Sequence, residues 1–302
     1  SNRVPGKRNS RSSHVDILVF PGRHISGRAG EGEGRDTIMK RTLLIVIVML
    51  AVSAVTMAQT GVKKRRPLPQ EYGRVVLNNY SEKAGLAPVV FDHWLHRAKY
   101  TCRLCHVDIA FAMKAGASGI TASDNINGFY CGSCHNGKMV QEGKKVFESC
   151  SKTNTKEDVK KCERCHSLGK NVKREYDFAK FTEHFPKERF GNGINWEKAE
   201  EIGEIKLTDS LEGISIPRKK LVAPKDITVE PKQIEMPEII FSHKKHTVWN
   251  GCELCHPEIF GVKKGTTKYS MSEIFEGRYC GVCHDRVAFP NLDCQRCHSK
   301  PV

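Results

Sequence analysis

The sequence predicts a mostly irregular chain made of two copies of one small unit. Each copy should carry a short α-helix at every Cys-x-x-Cys-His motif and a short β element before a Phe-x-His-x-x-His motif. Three observations lead there. Six Cys-x-x-Cys-His motifs fall into two sets of three, starting at Cys102, Cys131 and Cys162 and again at Cys252, Cys280 and Cys294. A Phe-x-His-x-x-His motif precedes each set, with His93 and His96 after Phe91, and His243 and His246 after Phe241. Phe91, His93, His96, Cys102 and His106 all recur 150 residues later, which marks an internal duplication.

The motif spacing has a chemical reason. Two thiols one helical turn apart add across the two vinyl groups of a porphyrin, and the adjacent His is presented to the iron as the proximal ligand. Twelve of the 13 cysteines are used this way: Cys102, Cys105, Cys131, Cys134, Cys162, Cys165, Cys252, Cys255, Cys280, Cys283, Cys294 and Cys297. The proximal ligands are then His106, His135, His166, His256, His284 and His298. Disulfides in an oxidising compartment or zinc knuckles would also use paired cysteines. Neither explains a His after the second Cys in all six motifs. Six covalently attached c-type haems are therefore expected.

At 302 residues the length suits two domains. With 39% hydrophobic and 8% aromatic residues the chain would bury only a thin core unaided. Six apolar porphyrin discs change that, so little regular secondary structure and a poorly folding apoprotein are expected. The formal charge of +15 includes about +5 from residues 1–58. Two propionates against one net charge on ferric iron subtract about 6 for six haems, which leaves about +4 on the oxidised mature part. The basic balance thus matches propionates, and no basic groove interleaved with aromatics argues for nucleic acid.

Residues 1–38 are Gly-, Ser- and Arg-rich and aperiodic. Met39-Lys40-Arg41 opens an apolar run ending at Ala58, the pattern of a signal peptide over 39–58, with translation expected to start at Met39. An uncleaved anchor in the cytoplasmic membrane is the alternative, though the run is short for a span. Residues 59–88 form a basic arm containing Lys63, Lys64, Arg65 and Arg66, read as a solvated tether or, secondarily, a peripheral membrane contact. The first triple-motif domain covers 89–170 and the second 239–302. Within the first, a polar insertion between Cys134 and Cys162 carries the leftover Cys150, read as a small free thiol or an intermolecular disulfide. The linker, 171–238, should hold a helix capped by Asn195, running through Glu201 and stopped by Gly203. Pro217, Pro224, Pro231 and Pro237 then read as a stiff connector.

With these motifs in hand, each copy resembles the trihaem cytochrome c7 domain, a relative of cytochrome c3, and the tandem resembles multidomain c7-type polymers of metal-reducing bacteria. The resemblance implies a multihaem c3/c7-like fold. It also implies that the first His of Phe-x-His-x-x-His is the distal ligand of the first haem and the second His that of the second haem. His93 would then pair with His106, His96 with His135, His243 with His256, and His246 with His284. At the third haem the chain departs from the pattern. Single-domain relatives place a His where this chain has Asn127 and Glu276. Polymeric relatives use Met there, which makes Met271 the candidate in the second copy. The first copy has Ala122 at that place, leaving Met113, Met139, His184 or an open site.

Doubly ligated irons bind no substrate, so electron transfer without catalysis is expected, and no catalytic residue is assigned. The resemblance implies a periplasmic relay between an inner-membrane quinol-oxidising complex and periplasmic or outer-membrane cytochromes or extracellular metal oxides, with electrons entering at one end and leaving at the other. A reductase of nitrite or a similar oxyanion, acting at an open third haem, is the rival. It lacks an acid/base constellation around His166.

Overall fold

The structure, a computed structural model, describes residues 38–49, 66–150, 156–168, 177–219, 221–230 and 236–300. Residues 1–65 and 66–302 are separate compact units. In the first, residues 38–49 are helical with exposed side chains. No helix among the described residues is long and apolar enough to cross a membrane. The rest of the expected leader, the upstream stretch 1–37, Lys63 to Arg65 of the arm and Pro231 of the connector lie outside the described residues.

In the second unit, each copy opens on a two-stranded antiparallel hairpin. Strand β1 (Arg74–Leu77) pairs with β2 (Val89–Asp92), and Val75 stands opposite Phe91. In the second copy β5 (Ile227–Val229) pairs with β6 (Ile239–Phe241), and Ile227 stands opposite Phe241. A third, very short hairpin, β3 (Val140–Gln141) with β4 (Lys144–Lys145), lies in the insertion of the first copy. The β element expected before each Phe-x-His-x-x-His is therefore the second strand of a hairpin. Its partner comes from sequence with weaker alternation. The first hairpin is clamped by Arg74, whose guanidinium reaches both carboxylate oxygens of Asp92 at 2.7 and 3.0 Å and Glu71 at 3.0 Å.

Both hairpins run straight into helices, α1 (His93–Arg97) and α6 (His243–Asn250). Histidines three apart share one face of such a helix. Helices α2 (Ala122–Ile126) and α7 (Met271–Phe275) are also repeat equivalents. Each starts with a reciprocal capping box, Thr121 with Asp124 and Ser270 with Glu273.

A helical turn occurs at the motifs, but a regular α-helix occurs at only the third of each set, α3 (Lys156–Cys165) and α8 (Cys294–Cys297). The second motifs are 3₁₀ turns, Tyr130–Ser133 and Tyr279–Val282. The first is a π-type turn, Leu104–Asp108, in one copy and hydrogen-bonded turns around Cys252–Phe260 in the other. In five of the six motifs the His amide still donates to the carbonyl of the first Cys, at 2.8–3.0 Å. One turn is all that the two thiols and the imidazole need. A single turn carries the nucleation cost of a helix without the propagation that offsets it, so packing, not helix propensity, sets its type.

The second motifs are also tightly packed. Tyr130 and Tyr279 precede their cysteines with φ of 47° and 51°, left-handed conformations unusual for an aromatic residue. One residue past the Cys, Gly132 and Gly281 lie against the carbonyl oxygens of Asn125 and Ile274, where a Cβ would collide.

The protein's own core is small, as the composition implies. It comprises Trp94 and Ala98 from the first copy with Phe185, Ile194, Trp196, Ala199 and Ile205 from the linker. The linker helix α5 (Trp196–Glu201) is capped by the Asn195 side chain, which accepts from the Lys198 amide at 2.9 Å, and Gly203 follows with φ of 81°. A shorter helix, α4 (Phe178–Phe181), precedes it, capped by Asp177, and sets Phe178 and Phe181 against Trp94. This half of the linker is packed structure, not a spacer.

Candidate haem sites

The histidines show a single pattern. All six that end a Cys-x-x-Cys-His motif have Nδ1 within reach of a backbone carbonyl. His106 faces Phe111 at 2.8 Å, His135 Phe147 at 3.2 Å, and His166 Ala87 at 2.7 Å. In the second copy His256 faces Phe260 at 2.7 Å, His284 Phe289 at 3.1 Å, and His298 Pro237 at 2.8 Å. Three of the four Phe-x-His-x-x-His histidines do the same: His93 to Gly73 at 2.5 Å, His243 to Lys225 at 3.0 Å and His246 to Ser242 at 2.8 Å. A carbonyl only accepts, so Nδ1 carries the proton and Nε2 keeps a free lone pair. That tautomer is the one a metal-ligating imidazole requires.

His96 is the exception, with its Nδ1 buried and lacking a hydrogen-bond partner. Its ring is set by Phe91, whose centroid lies 4.6 Å away. The same Phe91 meets His93 edge-on at 4.9 Å. Phe241 repeats both contacts, stacked on His246 at 4.3 Å and edge-on to His243 at 5.0 Å. The Phe of the motif therefore orients two imidazoles at once.

At the second motif of each copy two rings face each other. His96 and His135 have centroids 6.3 Å apart at 56°, and His246 and His284 repeat both values. With a metal–imidazole bond of about 2 Å, one ion held by both Nε2 atoms would fit between the two rings of each pair. At the first motif His106 lies near enough to His93 to disfavour its protonation. Burial is the main cause of depressed basicity in these rings. It holds His93 and His284 down to about 4 and His96 to about 3, and lowers His106, His135 and His246 as well. These imidazoles are neutral at pH 7, as ligands must be.

The third motif closes each copy on its own start. Ala87 and Pro237, the acceptors for His166 and His298, each stand four residues before the Phe of Phe-x-His-x-x-His. Asn127 and Glu276 occupy equivalent C-caps of α2 and α7, each with a side-chain contact back to a serine, Ser123 or Ser272. Met271 opens α7 and is 42% exposed, and Ala122 holds the same place in α2. Met113 is 38% exposed in a loop, Met139 stands just before β3 with its carbonyl accepting from the Val146 amide at 2.8 Å, and His184 is exposed beyond α4.

None of the 13 cysteines is in a disulfide. Burial pushes the thiols of Cys105, Cys131 and Cys283 up to about 12 and those of Cys165 and Cys280 to about 11. No group of three or more His, Cys, Asp or Glu side chains that could hold a metal ion is found among the described residues. Cys150 is half-buried, and burial raises its thiol pKa, with Cys162 nearby as a lesser cause.

Sequence reasoning missed one repeated feature. Arg164 and Arg296, each just before the second Cys of the third motif, lie over Phe147 and Phe289 at 4.3 and 4.4 Å. Those rings in turn pack on His135 and His284, both at 4.3 Å. The signal was present as an Arg at the same place in two repeats. The Phe partners stand 12 and 5 residues past their histidines, so alignment alone does not show the pairing.

Residues 89–167 and 239–299 match the family model described as cytochrome c7 and related cytochrome c. Among solved structures the chain is similar to a dodecahaem cytochrome c, with 24% identity over 79% of this chain and 50% of that one, and a TM-score of 0.23. It is also similar to the C-terminal and N-terminal hexahaem fragments of that protein, at 24% and 22% identity. Those matches cover 76% and 75% of this chain and 98% of each fragment, with TM-scores of 0.23 and 0.22. The chain thus spans half the length of the dodecahaem protein. Comparison with curated proteins finds no match. The carbonyl-anchored imidazoles and the repeated motifs agree with the family match: this chain is a multihaem c-type cytochrome carrying two tandem cytochrome c7-type domains.

Proposed function

We propose that the chain is a hexahaem electron relay of the periplasm, passing electrons from a membrane quinol-oxidising complex to periplasmic, outer-membrane or extracellular acceptors. The observation that carries it is the set of imidazoles whose Nδ1 is tied to a carbonyl, together with the two ring pairs 6.3 Å apart. Haem c supplies a one-electron iron couple when bound. The twelve motif cysteines would hold the porphyrins. His106, His135, His166, His256, His284 and His298 would be the proximal ligands, and His93, His96, His243 and His246 the distal ligands of the first two sites in each copy.

The protein's part is to fix ring orientation, keep Nε2 unprotonated and exclude water. Four sites held by two imidazoles each would bind no substrate, which favours relay over catalysis. Met271 is the proposed sixth ligand at His298, and a thioether there would raise that site's potential above its neighbours'. Export would use the leader at 39–58, with a membrane anchor as the alternative use of the same stretch, and the basic arm would lie near the membrane surface.

Intact-mass measurement of the exported protein tests the haem count. Six covalent haems are expected, and a mass without bound porphyrin refutes the reading. Near-infrared magnetic circular dichroism with EPR should then show four bis-histidine haems.

A further inference from the structure

Among the described residues, a chain of ion pairs joins the first motif of one copy to the first motif of the other. Arg103, inside the first motif of copy one, is buried and pairs with Asp108 at 3.2 Å and Asp209 at 2.8 Å. Asp108, also buried, accepts from Arg218 at 2.7 Å, and Arg218 continues to Glu253 at 3.0 Å. Glu253 lies inside the first motif of copy two, between Cys252 and Cys255. One chain of alternating charges thus joins the two first motifs through the linker. Gly251, adjacent to Cys252, is packed directly against the Arg103 side chain, where a Cβ would collide.

A second set of contacts holds the same seam. The Arg97 guanidinium lies between Trp196 and Trp249, 4.9 and 5.0 Å from their ring centroids, and donates to the Val287 carbonyl. Tyr72 donates to the Ala288 carbonyl at 2.7 Å, and Gly73 packs against Val287 and Arg286. Arg97 lies near both Cys102 and Cys283, and Cys102 lies near Cys255 and Cys283, close enough for each to affect the other's ionisation.

We propose that electrons cross between the two copies at the Cys102/Cys105 attachment site, which faces the Cys252/Cys255 and Cys280/Cys283 sites, with the Arg103–Asp108–Arg218–Glu253 ion chain and Arg97 as the positioning residues that hold this seam. The crossing oxidises one iron by a single electron and reduces the other, with no bond made and no proton moved. The inference rests on the haem assignment above. It replaces end-to-end flow with a route that branches from the first site of copy one. The third sites, at His166 and His298, become the outer ends.

The test is proton NMR of the fully reduced holoprotein, in which low-spin haems are diamagnetic and nuclear Overhauser contacts between porphyrin methyl and meso protons report haem neighbours. Contacts within each copy should be present whatever the seam, and they verify the haem reading separately. The expected result is a contact between the haem on Cys102/Cys105 and that on Cys252/Cys255 or Cys280/Cys283. Contacts linking the Cys162/Cys165 haem to the second copy instead, or no contact between copies, would overturn the proposal. Arg218→Ala and Glu253→Ala should each weaken or abolish the cross-copy signal while the signals within copies persist. An undiminished signal in both variants would remove the ion chain from the positioning role.

Discussion

Replacing Trp196 by Ala tests whether the linker is packed structure or a tether. Trp196 is 6% exposed, belongs to the core with Trp94 and Phe185, and donates from Nε1 to Asn192 at 3.0 Å. Truncating a buried Trp costs about 3–5 kcal/mol. Removing its cation–π interaction with Arg97 costs about 0.5–2 kcal/mol, a contribution that overlaps the first. A combined destabilisation of about 4 kcal/mol is a large part of ordinary domain stability. With a slope of about 2 kcal/mol per molar urea, the midpoint should fall by about 2 M. The control is Val222→Ala, also in the linker but 94% exposed, which should change stability by less than about 0.5 kcal/mol. The assay is urea unfolding of the holoprotein followed by tryptophan fluorescence and the Soret band. Equal, small shifts for both variants would refute the packing argument and return the linker to a passive connector.

Gly281→Ala drives a Cβ into the Ile274 carbonyl beside Cys280, and overpacking of this kind costs about 1–3 kcal/mol. The exported variant should carry one haem fewer by intact mass, and a full complement would contradict the close approach. Phe241→Ala removes the ring that orients both His243 and His246. Each aromatic pair it breaks should cost about 0.5–1.5 kcal/mol. Two low-spin EPR signals should broaden or shift, and an unchanged spectrum would argue against the orienting role. For pH, the folded protein holds His93 and His284 at about 4 and His96 at about 3, below the ordinary 6.5. Between those limits the unfolded chain binds protons that the folded chain refuses. Stability from these groups is therefore fully present above about 6.5 and is lost as pH falls towards 3–4. A series of urea midpoints of the holoprotein across that range should decline, because a proton also competes with iron for Nε2, and a flat series would contradict both burial and the ligand role of these imidazoles.

The haem motifs, the duplication and the capped linker helix were legible because each depends on local chemistry at fixed spacing. The partner strands were not. Arg74–Leu77 and Ile227–Val229 are too short to show alternation, and what selects them is pairing with β2 and β6 and the Asp92 carboxylate facing Arg74. Helix type at the motifs was also misjudged. The pattern requires a turn that aligns two sulfurs, and a π turn does this as well, as does a 3₁₀ turn led in by a left-handed Tyr with Gly packed on a carbonyl. Carbonyl acceptors are invisible to sequence altogether, because any residue type supplies one.

That last point explains why the duplication preserves so few identities outside the motifs. The ligand geometry is set mostly by backbone oxygens: Ala87 and Pro237 for the third sites, Phe111 and Phe260 for the first. Such a frame tolerates side-chain change as long as the chain path is kept. Where side chains do set geometry, as with Phe91 and Phe241 against the imidazoles or Arg164 and Arg296 over Phe147 and Phe289, the residue type recurs in both copies. The seam follows the opposite rule. Arg103, Arg97 and Arg218 have Glu253, a backbone carbonyl and carboxylates of the first copy and linker as partners, and none is repeated, because a junction between two copies uses each surface once. Asymmetry between otherwise equivalent positions is therefore where the duplicated chain holds its two halves together, and Arg97, replaced by Thr247 at the matching place in the second copy, is its clearest mark.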